Sequence, residues 1–207
     1  MGSLSFLLKV YKRISMKTLF LFFVFCFSFT PAIYAGGDWQ VNKERENNVT
    51  FYSSTTMLDF DGTTNNIDGY IYWEGDSLFG NRNEIYFEVD LASFDTGIGK
   101  RDSDMRNDVL HTNKFPLAKF KGTFVTVKKS DNLFDVRVLG SLDLHGVSKE
   151  LEIPGQIEIK NNEMSVNSIF TILLKDYQIE APSLMAFIKV AQEIKIKVHL
   201  TLSNKSE

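Results

Sequence analysis

From Ala191 to Leu202 the chain reads AQEIKIKVHLTL, with an apolar residue at every second position from Ile194 onward. Ile194, Ile196, Val198, Leu200 and Leu202 take one face of an extended chain, and Lys195, Lys197, His199 and Thr201 take the other. A side-chain period of two makes a half-buried strand and does not serve a helix. The same period recurs almost everywhere after Gly36. In LFDVRVLGSLDL, Phe134, Val136, Val138, Leu142 and Leu144 share a face, with Gly140 interrupting. LEIPGQIEI turns Leu151, Ile153, Ile157 and Ile159 inward, and EMSVNSIFTILL aligns Met164, Val166, Phe170, Ile172 and Leu174. Upstream, Ile67, Ile71 and Trp73 form one row, and Ile85, Phe87, Val89 and Leu91 another. NVTFYSS and AKFKGTFVTV, where Phe120 and Phe124 share a face, complete the set.

This amounts to about eight strands, mostly long, separated by turn signals such as KKSDN and KNNE. No sustained helical period appears. Two short helices are predicted. One has Asp102 or Ser103 as its N-cap and Met105 and Val109 on one face, and the other covers APSLMAFIKV, Ala181 to Val190. The fold class is all-β. Long antiparallel strands must bury their apolar face, and a closed barrel does this while removing the sheet edges. An eight-stranded interior is either filled by side chains or holds one small ligand. Most strands carry no inward charge, so a ligand held there is apolar. The pattern leaves both interiors open.

The amino terminus has its own logic. Lys9, Lys12, Arg13 and Lys17 precede the apolar run TLFLFFVFCFSFT; Pro31 ends it and Ala35 offers a small residue for cleavage. These are the parts of a secretory signal peptide, predicted over residues 1–35. The run is short for a bilayer span of about 20 residues. Met16 opens an alternative start, MKTLF. Cys26 lacks the pattern of a lipid-anchored cysteine, and Phe6 stands where a myristoylation motif takes Ser or Thr. The expected location is the periplasm or outside the cell, after cleavage near Ala35. Four of the 23 Lys and Arg residues, and none of the 26 Asp and Glu, fall in residues 1–35, so the rest carries a net charge of −7. Such an acidic domain has no basic stripe for nucleic acid. Cys26 is the only cysteine, so residues 36–207 have no disulfide, thiol nucleophile or Cys-bound metal. They form one domain large enough for a core without staples.

Two stretches carry a specific likeness. VDLASFDTGIGKRDSDMRNDVLHTNKFPLAKFKG, Val89 to Gly122, resembles the central signature of the YceI-like family through Ser93, Asp95, Thr96, Arg101, Asp102, Phe115, Pro116 and Phe120. VLGSLDLHGVSKELEIP resembles that family's hairpin through Gly140, Leu142, Leu144, His145, Gly146, Val147, Ser148 and Lys149. The likeness spans roughly Asp38 to Leu202. It implies an extended eight-stranded lipocalin-like barrel, exported, that binds an isoprenoid or other long amphiphile. Many members carry a His in the first hairpin. Here no His follows Phe51, which puts the identity of the ligand in question more than the fold.

The expected lipid-binding residues are therefore the inward rows and a cap. They are Ile71, Phe87, Val89, Phe120, Phe124, Val136, Val138, Phe170, Ile172, Ile196 and Val198, with Leu184, Met185 and Phe187 as the cap. That segment reads equally as a plug packed on the core of a filled barrel and as an adaptable cap, where Met185 suits an irregular chain. No catalytic residue, metal or cofactor is expected. His145 reads as a hairpin-turn residue with local hydrogen bonds and Gly146 supplying positive φ. Ser148 near it lacks a nucleophile elbow. Arg101 reads as a loop staple, because a long crossover must satisfy its own backbone groups. The expected partners are a long-chain amphiphile and a membrane as donor or acceptor, with a homodimer among the allowed assemblies. Two other classes stay open: a structural or stress-related barrel without a ligand, and an enzyme using a polar site in the same fold.

Overall fold

The computed structural model of the protein describes residues 36–75, 79–80, 82–181, 183–185 and 188–205, with 183–185, 188 and 189 described by their backbone alone. The expected signal peptide, and Phe187 of the expected cap, lie outside the described residues. The strands are β1 (Gly37–Val41), β2 (Asn48–Ser54), β3 (Asp59–Thr64), β4 (Ile67–Trp73), β5 (Asn83–Asp90), β6 (Leu117–Ser130), β7 (Leu133–Leu144), β8 (Val147–Lys160), β9 (Glu163–Leu173), β10 (Ser183–Met185), β11 (Ile188–Lys189) and β12 (Glu193–Asn204). All but β10 and β11 form one antiparallel sheet, ordered β1-β4-β5-β6-β7-β8-β9-β12-β2-β3 and closed by pairing of β1 with β12.

The barrel has eight staves because two of them are broken. β1 and β2 lie end to end along β12, β1 through Val41 opposite Leu202 and β2 through Asn48 opposite His199. Between them the chain loops out and Asn47, buried, replaces the missing ladder. Its side chain accepts from Thr201 N at 2.9 Å and donates to Asn42 O at 2.7 Å. β3 and β4 repeat the arrangement alongside. Alternation then sorts the residues as the sequence suggests: in β7, Phe134, Val136, Val138, Leu142 and Leu144 are buried while Asp135, Arg137, Ser141 and Asp143 are exposed.

Two local details shape the interior. Gly122 on β6 stands opposite Gly140 on β7. A Cβ at Gly140 would come within 2.5 Å of Phe120 Cζ, and one at Gly122 within 3.0 Å of its Cε1. The Phe120 ring thus lies against the wall over the glycine pair instead of projecting across the lumen. The second detail is Pro154. Ser168 Oγ donates to its carbonyl at 2.7 Å, so the edge of Pro154 that lacks an N–H faces β9. The β8–β9 ladder runs only from Gly155 opposite Ser168 to Lys160 opposite Glu163. Beyond that point β8 pairs with β7 alone and β9 with β12 alone, and the turn Leu174–Tyr177 follows β9 with Leu174, Tyr177 and Ile179 buried.

Two expectations about helices are corrected. The helix α1 spans Gly99–Asp104 and continues as a wider turn over Met105–Val109. It starts before Asp102 and Ser103, so neither caps it. Asp102 instead turns inward to serve Thr96. The second helix, over Ala181–Val190, does not form. β10 pairs with β11 there, and Val190 bridges to Thr55 beside β2. A ten-residue helix with Pro182 near its start and β-branched Ile188 and Val190 is marginal, and the pairing of β10 with β11 takes its place among the described residues.

Candidate functional site

The strand pattern alone left a filled and a hollow interior open, and the family likeness favoured the hollow one. The barrel is filled at one end and hollow at the other. At the filled end Trp39, Met164 and Leu202 pack with 6%, 0% and 0% exposure. Phe79 enters from the β4–β5 connection with φ 56°, its centroid 4.5 Å from Phe124, 5.1 Å from Trp73 and 5.5 Å from Phe134. Above this aromatic floor lies a cavity of about 1020 Å³, at the top of the roughly 300–1,000 Å³ range of small-molecule pockets.

Most of the expected residues border that cavity. Ile71, Phe87 and Val89 come from β4 and β5, and Phe120, Phe124, Val136 and Val138 from β6 and β7. Phe170, Ile172, Ile196 and Val198 come from β9 and β12. Leu184 and Met185 lie on β10, with their side chains outside the described set. No sign of the Phe79 plug was visible in EGDSLFGN, which reads as a loop.

The mouth is built from residues that period-two reasoning passes over. The β2–β3 turn supplies Met57 and Leu58, and the residue before α1 supplies Ile98. They line the cavity yet stand 78%, 60% and 52% exposed. The available signal was an apolar pair inside the Ser- and Thr-rich turn SSTTMLD. The rest of the described rim is polar and balanced: Lys100, Arg101, Asp104 and Asp108 also line the cavity, and Lys100 pairs with Asp104.

The crossover from Leu91 to Pro116 forms one side of this mouth and is held by its own polar groups. Asp95 pairs with Thr63 of β3 through both backbone groups at 2.9 Å. Asp102 accepts from Thr96 N at 3.0 Å and Thr96 Oγ1 at 2.5 Å. The Thr96 hydroxyl bond, more than the opposing burial, holds its carboxyl below the usual carboxylate range, with Arg106 and Arg101 nearby adding to this. Arg101 donates from Nε to Thr96 Oγ1 at 2.8 Å and from Nη2 to Thr96 O at 2.6 Å, and lies 4.8 Å from the Phe60 centroid. This is the staple geometry expected of it. Tyr70, Glu84 and Tyr86 on the outer wall are displaced as well. Tyr86 is pushed up to about 12, chiefly by its bond to Glu88.

His145 departs from expectation. Its hydrogen bonds are not local: Nε2 meets His111 Nδ1 at 3.0 Å and Nδ1 meets Tyr177 O at 3.3 Å. Both His145 and Gly146 have positive φ, 55° and 76°. The Phe115 ring packs 4.6 Å from the His145 ring and occupies the space a Cβ at Gly146 would need. The two stretches that carry the family likeness thus meet and lock the crossover onto the β7–β8 turn. Ser148 bonds to Ser141 at 2.7 Å, and His199 to Asn167 at 2.8 Å. No nucleophile, base and orienting group come together at these positions. Among the described residues no three His, Cys, Asp or Glu side chains cluster to hold a metal ion.

Known proteins share this architecture. A crystal structure of BcnA from Burkholderia cenocepacia is 18% identical with a TM-score of 0.65, over 78% of this chain and 98% of that one. A polyisoprenoid binding domain from Saccharophagus degradans, implicated in plant cell wall breakdown, is 19% identical with a TM-score of 0.65, over 82% and 99%. The YCEI protein of Campylobacter jejuni is 17% identical with a TM-score of 0.53, over 70% and 85%. These likenesses concern the fold. In sequence, a UPF0312 protein of Shewanella denitrificans is 32% identical over 93 residues, which is 44% of this chain and 46% of that protein. Residues 39–202 match the family described as YceI-like domain, and the chain belongs to that family.

Proposed function

We propose that this protein is a non-enzymatic carrier that holds a long-chain isoprenoid or similar amphiphile inside its barrel, for transport, storage or protection under stress. The observation that carries the proposal is the 1020 Å³ cavity, apolar along its walls, closed by an aromatic floor and open at an apolar rim. Burial alone binds such a ligand: about 0.8 kcal/mol per methylene, so a chain of moderate length needs few polar contacts. The shared fold with a polyisoprenoid binding domain supports the ligand class. Export belongs to the same proposal, since the signal-peptide pattern precedes Gly36. The exported protein then begins at or near Gly36.

A water-insoluble ligand must be exchanged with a membrane. We place that exchange at Met57, Leu58 and Ile98, which are exposed and continuous with the cavity wall. Each such side chain gains roughly 1.5–3 kcal/mol on burial. The double change Met57→Asp, Leu58→Asp is expected to slow transfer of a fluorescent prenyl alcohol from phospholipid vesicles by about tenfold or more. Equilibrium affinity for the detergent-dispersed probe falls by much less than the transfer rate. Equal transfer rates in parent and variant contradict the rim assignment, and no binding of any apolar probe by the folded parent contradicts the carrier.

A further inference from the structure

We propose that Ser53 is the polar subsite of the cavity and that the ligand's head is a neutral hydrogen-bonding group, an alcohol, amide or carbonyl, rather than a phosphate. This rests on the carrier reading above and specifies its ligand. Val49, Phe51 and Ser53 follow one another on the inward face of β2, and all three line the cavity. Ser53 is 8% exposed, and its Oγ finds no hydrogen-bond partner among the described residues. Buried hydroxyls are normally partnered, and leaving one unpaired is costly. A buried, unpartnered hydroxyl on a strand face that lines a ligand cavity has its natural partner in the ligand, which rotation about the Ser53 χ1 bond brings within reach.

Position and charge narrow the class. Ser53 stands opposite Phe60 on β3, two residues before the bridge from Thr55 to Val190 and just below the exposed turn at Met57. A head at Ser53 therefore lies at the open end, with the tail running down to Phe124. Among the described residues, the charged side chains lining the cavity are two cations and two carboxylates, Lys100, Arg101, Asp104 and Asp108. Lys100 is paired with Asp104, and Arg101 is engaged by Thr96 and stacked on Phe60. A phosphate meets no net positive charge from these four groups.

The test uses delipidated protein and three probes of one chain: geranylgeraniol, its pyrophosphate ester and the parent hydrocarbon. Ser53→Ala is expected to weaken the alcohol about tenfold, the loss of one hydrogen bond to a buried group. The hydrocarbon's affinity changes by less than about twofold, since its binding is burial alone. Ser53→Thr retains the alcohol's affinity. The ligand-free Ser53→Ala protein melts at or above the parent's temperature, because the change removes an unpaired buried hydroxyl. The parent prefers the alcohol to the pyrophosphate. Equal alcohol affinity in parent and Ser53→Ala, with the hydrocarbon still bound, overturns the subsite while the carrier stands. Tighter binding of the pyrophosphate overturns the neutral head. Failure of folded parent protein to bind even the hydrocarbon removes both.

Discussion

Val136→Asp is expected to cost the fold several kcal/mol at neutral pH, of the size set by burying an unpaired carboxylate. Val136 is 5% exposed, faces the cavity, and stands between Val127 on β6 and Gly155 on β8. No cation lies on these neighbouring positions to pair with the new charge. At about 2–4 °C per kcal/mol for a domain of this size, the melting temperature falls by roughly 10 °C or more. The sign of the pH dependence is fixed. Burial raises the carboxyl's folded pKa above its unfolded value near 3.9, so the penalty is full at high pH. It shrinks as pH falls through the raised folded value, and is smallest below the unfolded one. Denaturant unfolding at neutral and acid pH checks this. A penalty independent of pH contradicts a dry apolar wall at Val136.

Asp102→Ala is the second large effect. Two donors of Thr96, its N–H and its hydroxyl, lose their acceptor together, and Asp102 is 7% exposed. Charge-assisted bonds of this kind are worth about 1.5–3 kcal/mol each, with strong non-additivity, so a loss of about 3 kcal/mol is expected. Here the folded pKa is depressed. The stability it contributes is fully present above the unfolded value of about 3.9 and is lost as pH falls through the lower folded value. The gap between parent and Asp102→Asn therefore closes as the solution is taken below about pH 4. A gap unchanged across that window shows that the carboxylate's charge does not hold the crossover.

How far these sites were legible follows from what kind of information each needs. The rows in β7, β8, β9 and β12 were readable because alternation is local, and one buried face forces it. The breaks between β1 and β2 and between β3 and β4 were not. Asn47 looks like a turn residue, and only the distant Thr201 gives its side chain a ladder to complete. The strand pairing at Ser183–Lys189 competed with a helical reading that sequence neighbours alone could not decide. The meeting of His111 with His145 joins residues 34 positions apart, and the Phe79 plug depends on three aromatic partners on separate strands. The wall of the cavity was thus visible as periodicity. Its floor, rim and polar subsite needed three-dimensional neighbours: Phe79 for the first, Met57, Leu58 and Ile98 for the second, Ser53 for the third.

The central claim is that the hollow end of the barrel carries a long-chain amphiphile. Native mass spectrometry of the protein taken from its own cell envelope tests it most directly. The expected result is a polypeptide beginning at or near Gly36, with one amphiphile bound in most copies. That molecule is lost on denaturation and identified in the released lipid, and Phe124→Ala, which opens the floor beside Phe79, accepts longer chains. A folded protein that leaves the envelope without any bound amphiphile, and takes none up from vesicles afterwards, contradicts it.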